Sequence, residues 1–425
     1  MDFDDTPEGA RFRDEVRTFL RQHSKPRGPG ATASAFQSET GTLAEVASAR
    51  AWQRVKFEAG YAAITWPKEF GGRDGTSIQQ VIYHQEESKF DVPSSATFLI
   101  TLGICVPVLV AYATQEQKAY YTLRAMSGEH IWCQLFSEPN AGSDLAGLHM
   151  RAQRQGDDWL ITGQKIWTSG AHYADFGLLL ARSDPTVAKH KGLSCFFLDM
   201  KSPGIEIRPI KQMDGGMNFN EVYFTDVKIP DSQRLGEVGH GWEVALTTLM
   251  NERLSLGTNT DTNNGTDAFL ELARSVELES GPALGNQAVR ERIADWYLKS
   301  EGVRLTGYRT LTALSRGQVP GPESSISKAV MGPAGQEMMA FAMDLQEMGG
   351  VIRDPRYSPM GARWQEYWLF APCLRVAGGT DEILRNVIAE RVLGMPGDVR
   401  VDKDRPFKHL AGGSQQPPAQ GQDLS

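Results

Sequence analysis

"CQLFSEPNAGSDLAG", Cys133–Gly147, starts as a strand and breaks at Pro139 into a loop of small residues. In such a loop, backbone N–H groups, Ser137 and Ser143 can meet a polar ligand edge at close range. Alone, an N-A-G-S-D run reads as a surface turn of a β domain. A second small-polar turn follows in "ITGQKIWTSGA", Ile161–Ala171, carrying Trp167, Thr168 and Ser169, and the pair predicts a pocket with one aromatic wall.

Short β-type runs surround these turns: "DWLITG", "FGLLLARS", "LSCFFLDM", "IEIRPI" and "EVYFTDVKIP", separated by Gly and Asp. They predict a small β sandwich or barrel over residues 131–238. Before it, residues 1–130 follow helical spacing, interrupted by "SKPRGPGATASAF" and "TWPKEFGGRDG", and read as an α domain. After it, residues 239–396 return to long helical patterns and predict a helix bundle. Residues 397–425 are polar and rich in Pro, Gly and Gln, which predicts a flexible tail. The fold class is thus mainly α with a central β domain.

At 425 residues two to three domains are expected, by the usual measure of about 150 residues each. A net charge of −8 with no basic cluster argues against nucleic acid as the main partner. Cys105, Cys133, Cys195 and Cys373 stand far apart, so unpaired thiols in a reducing compartment are expected, and the eight histidines form no metal-binding grouping. The acidic, amphipathic start "MDFDDTPEGARFRDEV" is unlike a signal peptide, which predicts a cytoplasmic protein. The uncharged stretch 97–114 contains Gly103 and Pro107 and has no basic flank; it reads as a buried helix rather than a membrane span.

"LRVAGGTDEILRNVIAERVLG", Leu374–Gly394, predicts a helix capped by Thr380, with Asp381 and Glu382 at its positive end and Leu384, Val387, Ile388 and Val392 as one buried stripe. One glycine would suffice for a close approach. The pair Gly378–Gly379 therefore implies a flat or bulky neighbour, or a missing side chain.

The blocks "WPKEFGG" (66–72), "SEPNAGSD" and "GQKIWTSG", in that order, resemble the acyl-CoA dehydrogenase family over roughly residues 5 to 395. The resemblance implies an N-terminal α domain, a middle β domain and a C-terminal four-helix bundle. It places a flavin ring against Gln134, Phe136, Ser137, Trp167, Thr168 and Ser169, and the acyl-CoA against Ser143, Arg253 and Gly378. "LQEMGG" resembles the family's Gln-x-x-Gly-Gly turn, so Gln346, Gly349 and Gly350 would reach the adenine-side half of FAD in a neighbouring subunit, with Thr380 and Glu382 completing the match.

Two departures stand out. Where the family usually has Arg followed three residues later by Phe at the pyrophosphate, this chain has Arg274 and then Glu277; Arg274 and Gln287 remain to serve. Such loss occurs in members that work as hetero-oligomers. Where many members carry the glutamate that removes the α-proton, this chain has Gly378. The family's other solution, a glutamate early in the bundle followed by Arg, matches Glu252 and Arg253 of "TTLMNERLSLG". On a helix starting near Gly241, Glu252 would flank an apolar stripe of Ala245, Thr248, Leu249 and Leu256, which raises its basicity.

The expected activity is FAD-dependent α,β-dehydrogenation of an acyl-CoA thioester, with electrons passed to an electron-transferring flavoprotein. A homodimer or homotetramer, one subunit of a hetero-oligomeric dehydrogenase, and a silent acyl-CoA-binding protein on the same fold all remain open. Base placement on the bundle helix points to a bulky or medium-to-long acyl group.

Overall fold

The computed structural model describes residues 5–27, 41–257, 264–316, 318, 321–322, 324–397, 399, 402 and 404–410; of residues 252–257, 264, 311, 314, 315 and 324 it gives the backbone only. The loop 28–36 and the end of the tail, 411–425, lie outside the described residues. The N-terminal part is helical: Pro7–His23, Leu43–Glu58, Ser77–Glu87 and Gln115–Met126. The last three open with capping boxes, Thr42 with Glu45, Thr76 with Gln79 and Thr114 with Gln117, each of which satisfies two otherwise orphaned N–H groups.

The uncharged stretch is a helix, Ala96–Ile100 and Val106–Tyr112, joined by a π turn at Thr101–Cys105. Cys105, Val106, Val108 and Leu109 are buried against the β domain. Among the described residues no helix is long and apolar enough to cross a membrane.

Residues 132–235 build one eight-stranded sheet in the order Arg234–Leu235, Leu193–Asp199, Phe176–Arg182, Arg151–Gln155, Asp158–Ser169, Phe219–Pro230, Ile205–Pro209; Trp132–Leu135 runs parallel beside Phe176–Arg182. Phe176–Arg182 and Leu193–Asp199 are mostly apolar and buried because both faces are covered. Leu178, Leu180, Cys195 and Phe197 face the helices, while Leu179, Ala181, Phe196 and Leu198 face a second core with Trp159, Ile161 and Phe224.

The C-terminal part packs the long helices Gly241–Gly257, Asn264–Ser275, Gln287–Ser315 and Ser324–Leu345. An aromatic cluster holds the last three: Phe269 and Trp296 at 4.9 Å, Trp296 and Phe341 at 5.7 Å, Phe269 and Trp364 at 5.8 Å. The helix entered by the glycine pair begins as expected, with Thr380 accepting from the Ile383 N–H at 3.3 Å. Its stripe does not hold to the end. Leu384 is buried, Val387 and Ile388 are half-buried and Val392 is exposed, because a π turn at Ile388–Val392 rotates the later positions off the stripe.

Part of the polar tail is packed, contrary to the composition. Pro406 pairs with Ala188, and Phe407 is 4% exposed against the β domain. One aromatic side chain and a few backbone bonds dock the segment, although no periodicity announces it.

Candidate active site

Backbone geometry brings the two sequence-predicted turns together. Glu138 and Ala141 exchange N–H and carbonyl groups at 3.0 Å, closing a tight turn that leaves Pro139 and Asn140 at its exposed tip. The Ile166 N–H donates to the Ser137 carbonyl at 2.9 Å, and Lys165 Nζ donates to the Phe136 carbonyl at 2.9 Å. Ser137 is therefore a half-buried neighbour of the second turn, Gln134 is half-buried on the strand that leads to it, and Ser143 lies exposed on the following loop.

The second turn is shaped by a bulge. Register between Asp158–Ser169 and Phe219–Pro230 shifts between Lys165 and Thr168, and Trp167 sits there with φ of 59°, a left-handed conformation costly for a bulky residue. The bulge turns the indole out of the sheet, 56% exposed and in edge contact with Phe219. Next to it the Thr168 hydroxyl is buried with no hydrogen-bond partner among the described residues, while the Thr168 carbonyl accepts from Asn220. A buried hydroxyl left unpaired is costly, so a ligand group at this position would satisfy it.

Sequence reasoning missed what holds this frame. Glu138, inside the quoted motif, accepts from the His149 and Met150 N–H groups at 2.6 and 2.9 Å and from Lys165 Nζ at 2.9 Å. Lys165 is fully buried; burial lowers its ammonium from its ordinary value, and the Glu138 carboxylate opposes the drop. Arg182, also buried, donates to the carbonyls of Ala146, Leu148 and Lys189. Burial brings it down to about 10, so it remains charged at neutral pH. The inward register of Lys165, shared with Trp159 and Ile161, was the available signal.

On the bundle side, the helix Gly241–Gly257 starts so close to Ser194 that a side chain at Gly241 would lie 2.6 Å from its backbone. Val244, Ala245 and Thr248 are buried along one face, and the backbone of Glu252 follows Thr248 by one turn. The side chains of Glu252, Arg253 and Leu256 lie outside the described residues. Gly378 and Gly379 have φ of 65° and 99°, so each has a conformational reason to be glycine whatever lies beside it. Lys328 donates to the Gly379 carbonyl, and Arg375 pairs with buried Asp381, which fixes the turn.

Most of the remaining candidates lie at the other end of the bundle, whereas Thr380 and Glu382 stay beside the glycine pair. Arg274 is exposed at the end of its helix, Glu277 is exposed in a hairpin with Gly281–Pro282, and exposed Gln287 bonds Glu291. Gln346 is buried with its amide oxygen unpaired among the described residues, the Gly349 carbonyl accepts from Gln365, and a Cβ at Gly350 would lie 2.3 Å from the Met343 carbonyl. Thr380 and exposed Glu382 lie beside Lys328, about 27 Å along the Ser324–Leu345 helix from Gln346 by the helical rise. One chain therefore does not bring the two groups together.

Family models for the N-terminal, middle and C-terminal domains of acyl-CoA dehydrogenases match residues 6–129, 133–227 and 239–393. The chain belongs to the acyl-CoA dehydrogenase family. It is therefore built on the fold of a group of flavin-dependent oxidoreductases. It is 32% identical over 92% of its length to the acyl-CoA dehydrogenase IpdE1 of Mycolicibacterium smegmatis, 98% of which is covered. It is 37% identical over 80% of its length to FadE34 of Mycobacterium tuberculosis, but spans only 45% of that longer acyl-CoA dehydrogenase. Among solved structures, "Tcur3481-Tcur3483 steroid ACAD" superposes with a TM-score of 0.78 at 26% identity, covering 94% of this chain and all of that one. The ChsE4–ChsE5 complex from Mycobacterium tuberculosis gives 0.76 at 26%, again over 94% of this chain and all of that one.

Proposed function

We propose that the protein is an FAD-dependent dehydrogenase that introduces an α,β double bond into a bulky acyl-CoA thioester, with Glu252 as the base. The observation that carries this reading is the joined pair of turns around the buried, unpartnered Thr168 hydroxyl, which fits a polar edge of a flavin ring lying against Trp167. Gln134, Phe136, Ser137 and Ser169 would complete that wall, and Arg274, Gln287, Gln346, Gly349, Gly350, Thr380 and Glu382 the remainder of the FAD site across a subunit contact. Bound FAD supplies the acceptor for the β-hydride.

The chain's own residues do the rest. A thioester α-proton is weakly acidic, so its removal needs a carboxylate within hydrogen-bond reach while the carbonyl oxygen is polarised. Glu252 takes the proton and the Gly378 N–H polarises the carbonyl. Ser143 and Arg253 hold the acyl-CoA. Electrons leave to an electron-transferring flavoprotein. A bulky substrate, of the steroid-like size that the name of the Tcur3481–Tcur3483 protein indicates, agrees with a base placed on the bundle helix.

Exposed Arg274 with Glu277 beside it favours a second reading, in which this chain is one subunit of a hetero-oligomer, as in the ChsE4–ChsE5 complex. Purified protein should carry a flavin absorbance band and turn over polycyclic or long acyl-CoA thioesters with an artificial electron acceptor, giving the 2-enoyl product. Fastest turnover of butyryl-CoA refutes the bulky substrate. Colourless protein that bleaches added FAD with no thioester moves the assignment to the hetero-oligomer.

A further inference from the structure

Among the described residues that follow the last helix, Asp402 and Arg405–Leu410 pack against the stretch 182–189, which in turn holds the loop that carries Ser143. Backbone bonds pin Arg405–Leu410 to residues 185–188: the Phe407 N–H donates to the Val187 carbonyl at 2.8 Å, the Lys408 N–H to the Pro185 carbonyl at 2.9 Å, and Pro406 pairs with Ala188. The Phe407 ring covers Arg182, with the guanidinium carbon 3.5 Å from the ring centroid, and meets the His149 ring at 5.1 Å. Arg182 in turn holds the carbonyls of Ala146 and Leu148 at 2.6 and 3.0 Å. A second link runs through Lys189, which bonds both Asp144 carboxylate oxygens at 2.9 and 3.0 Å and Asp402 at 2.5 Å.

Both links end on the same short stretch. Residues 141–147 have exposed Gly142, Ser143 and Asp144 at their crest, and what fixes their path is the set of Arg182 and Lys189 contacts together with the Glu138 grip on His149 and Met150. A cation under an aromatic face, shielded from water, is held more strongly than one in solvent, so covering Arg182 with Phe407 stiffens the three carbonyl bonds beneath it.

We propose that Asp402 and Arg405–Leu410 form a C-terminal strap that positions the acyl-CoA-contacting loop 141–147, with Phe407 acting through Arg182 and Asp402 through Lys189. Phe407, Arg182 and Lys189 are thus positioning residues; none is placed against the substrate. The proposal rests on the reading of Ser143 as an acyl-CoA contact.

The test uses the flavin-loaded full chain and two variants, Phe407→Ala and a truncation after Leu410. Hydrogen exchange is followed in peptides spanning 139–150 and, as a control, 264–275. Phe407→Ala should speed exchange of the loop by about tenfold or more with the control unchanged, and raise the KM for acyl-CoA by a similar factor while kcat and flavin content stay near those of the parent. Truncation after Leu410 should change neither reading. Unchanged loop exchange in Phe407→Ala overturns the strap, and so does accelerated exchange in both peptides, which makes the segment a general folding element. Faster loop exchange with an unaltered KM overturns the acyl-CoA role of the loop, and with it the proposal. For the ionic link, Asp402→Asn should produce the same pattern at smaller amplitude; no change there removes Lys189 from the strap.

Discussion

Replacing Lys165 by Met tests how the two turns are held. Lys165 is fully buried and its ammonium makes two bonds of 2.9 Å, to the Phe136 carbonyl and to Glu138, which is itself 7% exposed. Met fills the space of the alkyl stem, so the loss is polar. It leaves one buried carbonyl short of a donor and a buried carboxylate short of its counter-charge. Breaking a buried pair from one side costs about 3–5 kcal/mol, and the N–H groups of His149 and Met150 still held by Glu138 put the expected value near the lower end, about 3 kcal/mol. Adding Glu138→Gln removes the stranded charge and should recover about 1–2 kcal/mol of that loss. Urea unfolding followed by tryptophan fluorescence gives both numbers, since Trp132 and Trp159 are buried in the same sheet. A cost under about 1 kcal/mol for Lys165→Met, the range of an exposed ion pair, would refute the picture of a desolvated frame.

Two other outcomes follow from named contacts. Thr168→Val removes an unpartnered hydroxyl at constant volume; protein stripped of flavin should become more stable by about 1 kcal/mol while flavin affinity drops about tenfold, and a loss of stability in the stripped protein contradicts the reading of Thr168 as a ligand contact. Burial raises the Glu86 carboxyl, but hydrogen bonds from Arg17, Lys89 and Arg13 outweigh it and hold the group at about 2, below its ordinary 4.5. The stabilisation is complete well above pH 4.5 and is lost as pH falls towards 2; about 1–2 kcal/mol of acid sensitivity should disappear in Glu86→Gln, as read from unfolding midpoints between pH 5 and 3.

The three-part architecture was legible because its signals are periodic: helical spacing, then period-two runs, then helical spacing again. The two site turns were legible as turns, from Pro139 and the small residues around Trp167. What joins them was not, since Glu138 and Lys165 meet through strand pairing that no local pattern states. The glycine pair has a second explanation that the sequence did not announce. Its positive φ values account for both residues, and a glutamate placed at Gly378 would carry strain of about 1–3 kcal/mol before any question of reach. The packed tail escaped notice because its anchor is one phenylalanine in a polar, Pro-rich stretch.

The assignment of Glu252 as the base carries the whole mechanism, and the anaerobic bleaching of enzyme-bound flavin by acyl-CoA measures it in one turnover. Mixed with a bulky acyl-CoA thioester, the parent protein should bleach rapidly, and Glu252→Gln, with flavin content and acyl-CoA binding intact, should bleach at least about 10²-fold more slowly. A Glu252→Gln variant that bleaches at close to the parent rate would contradict the account.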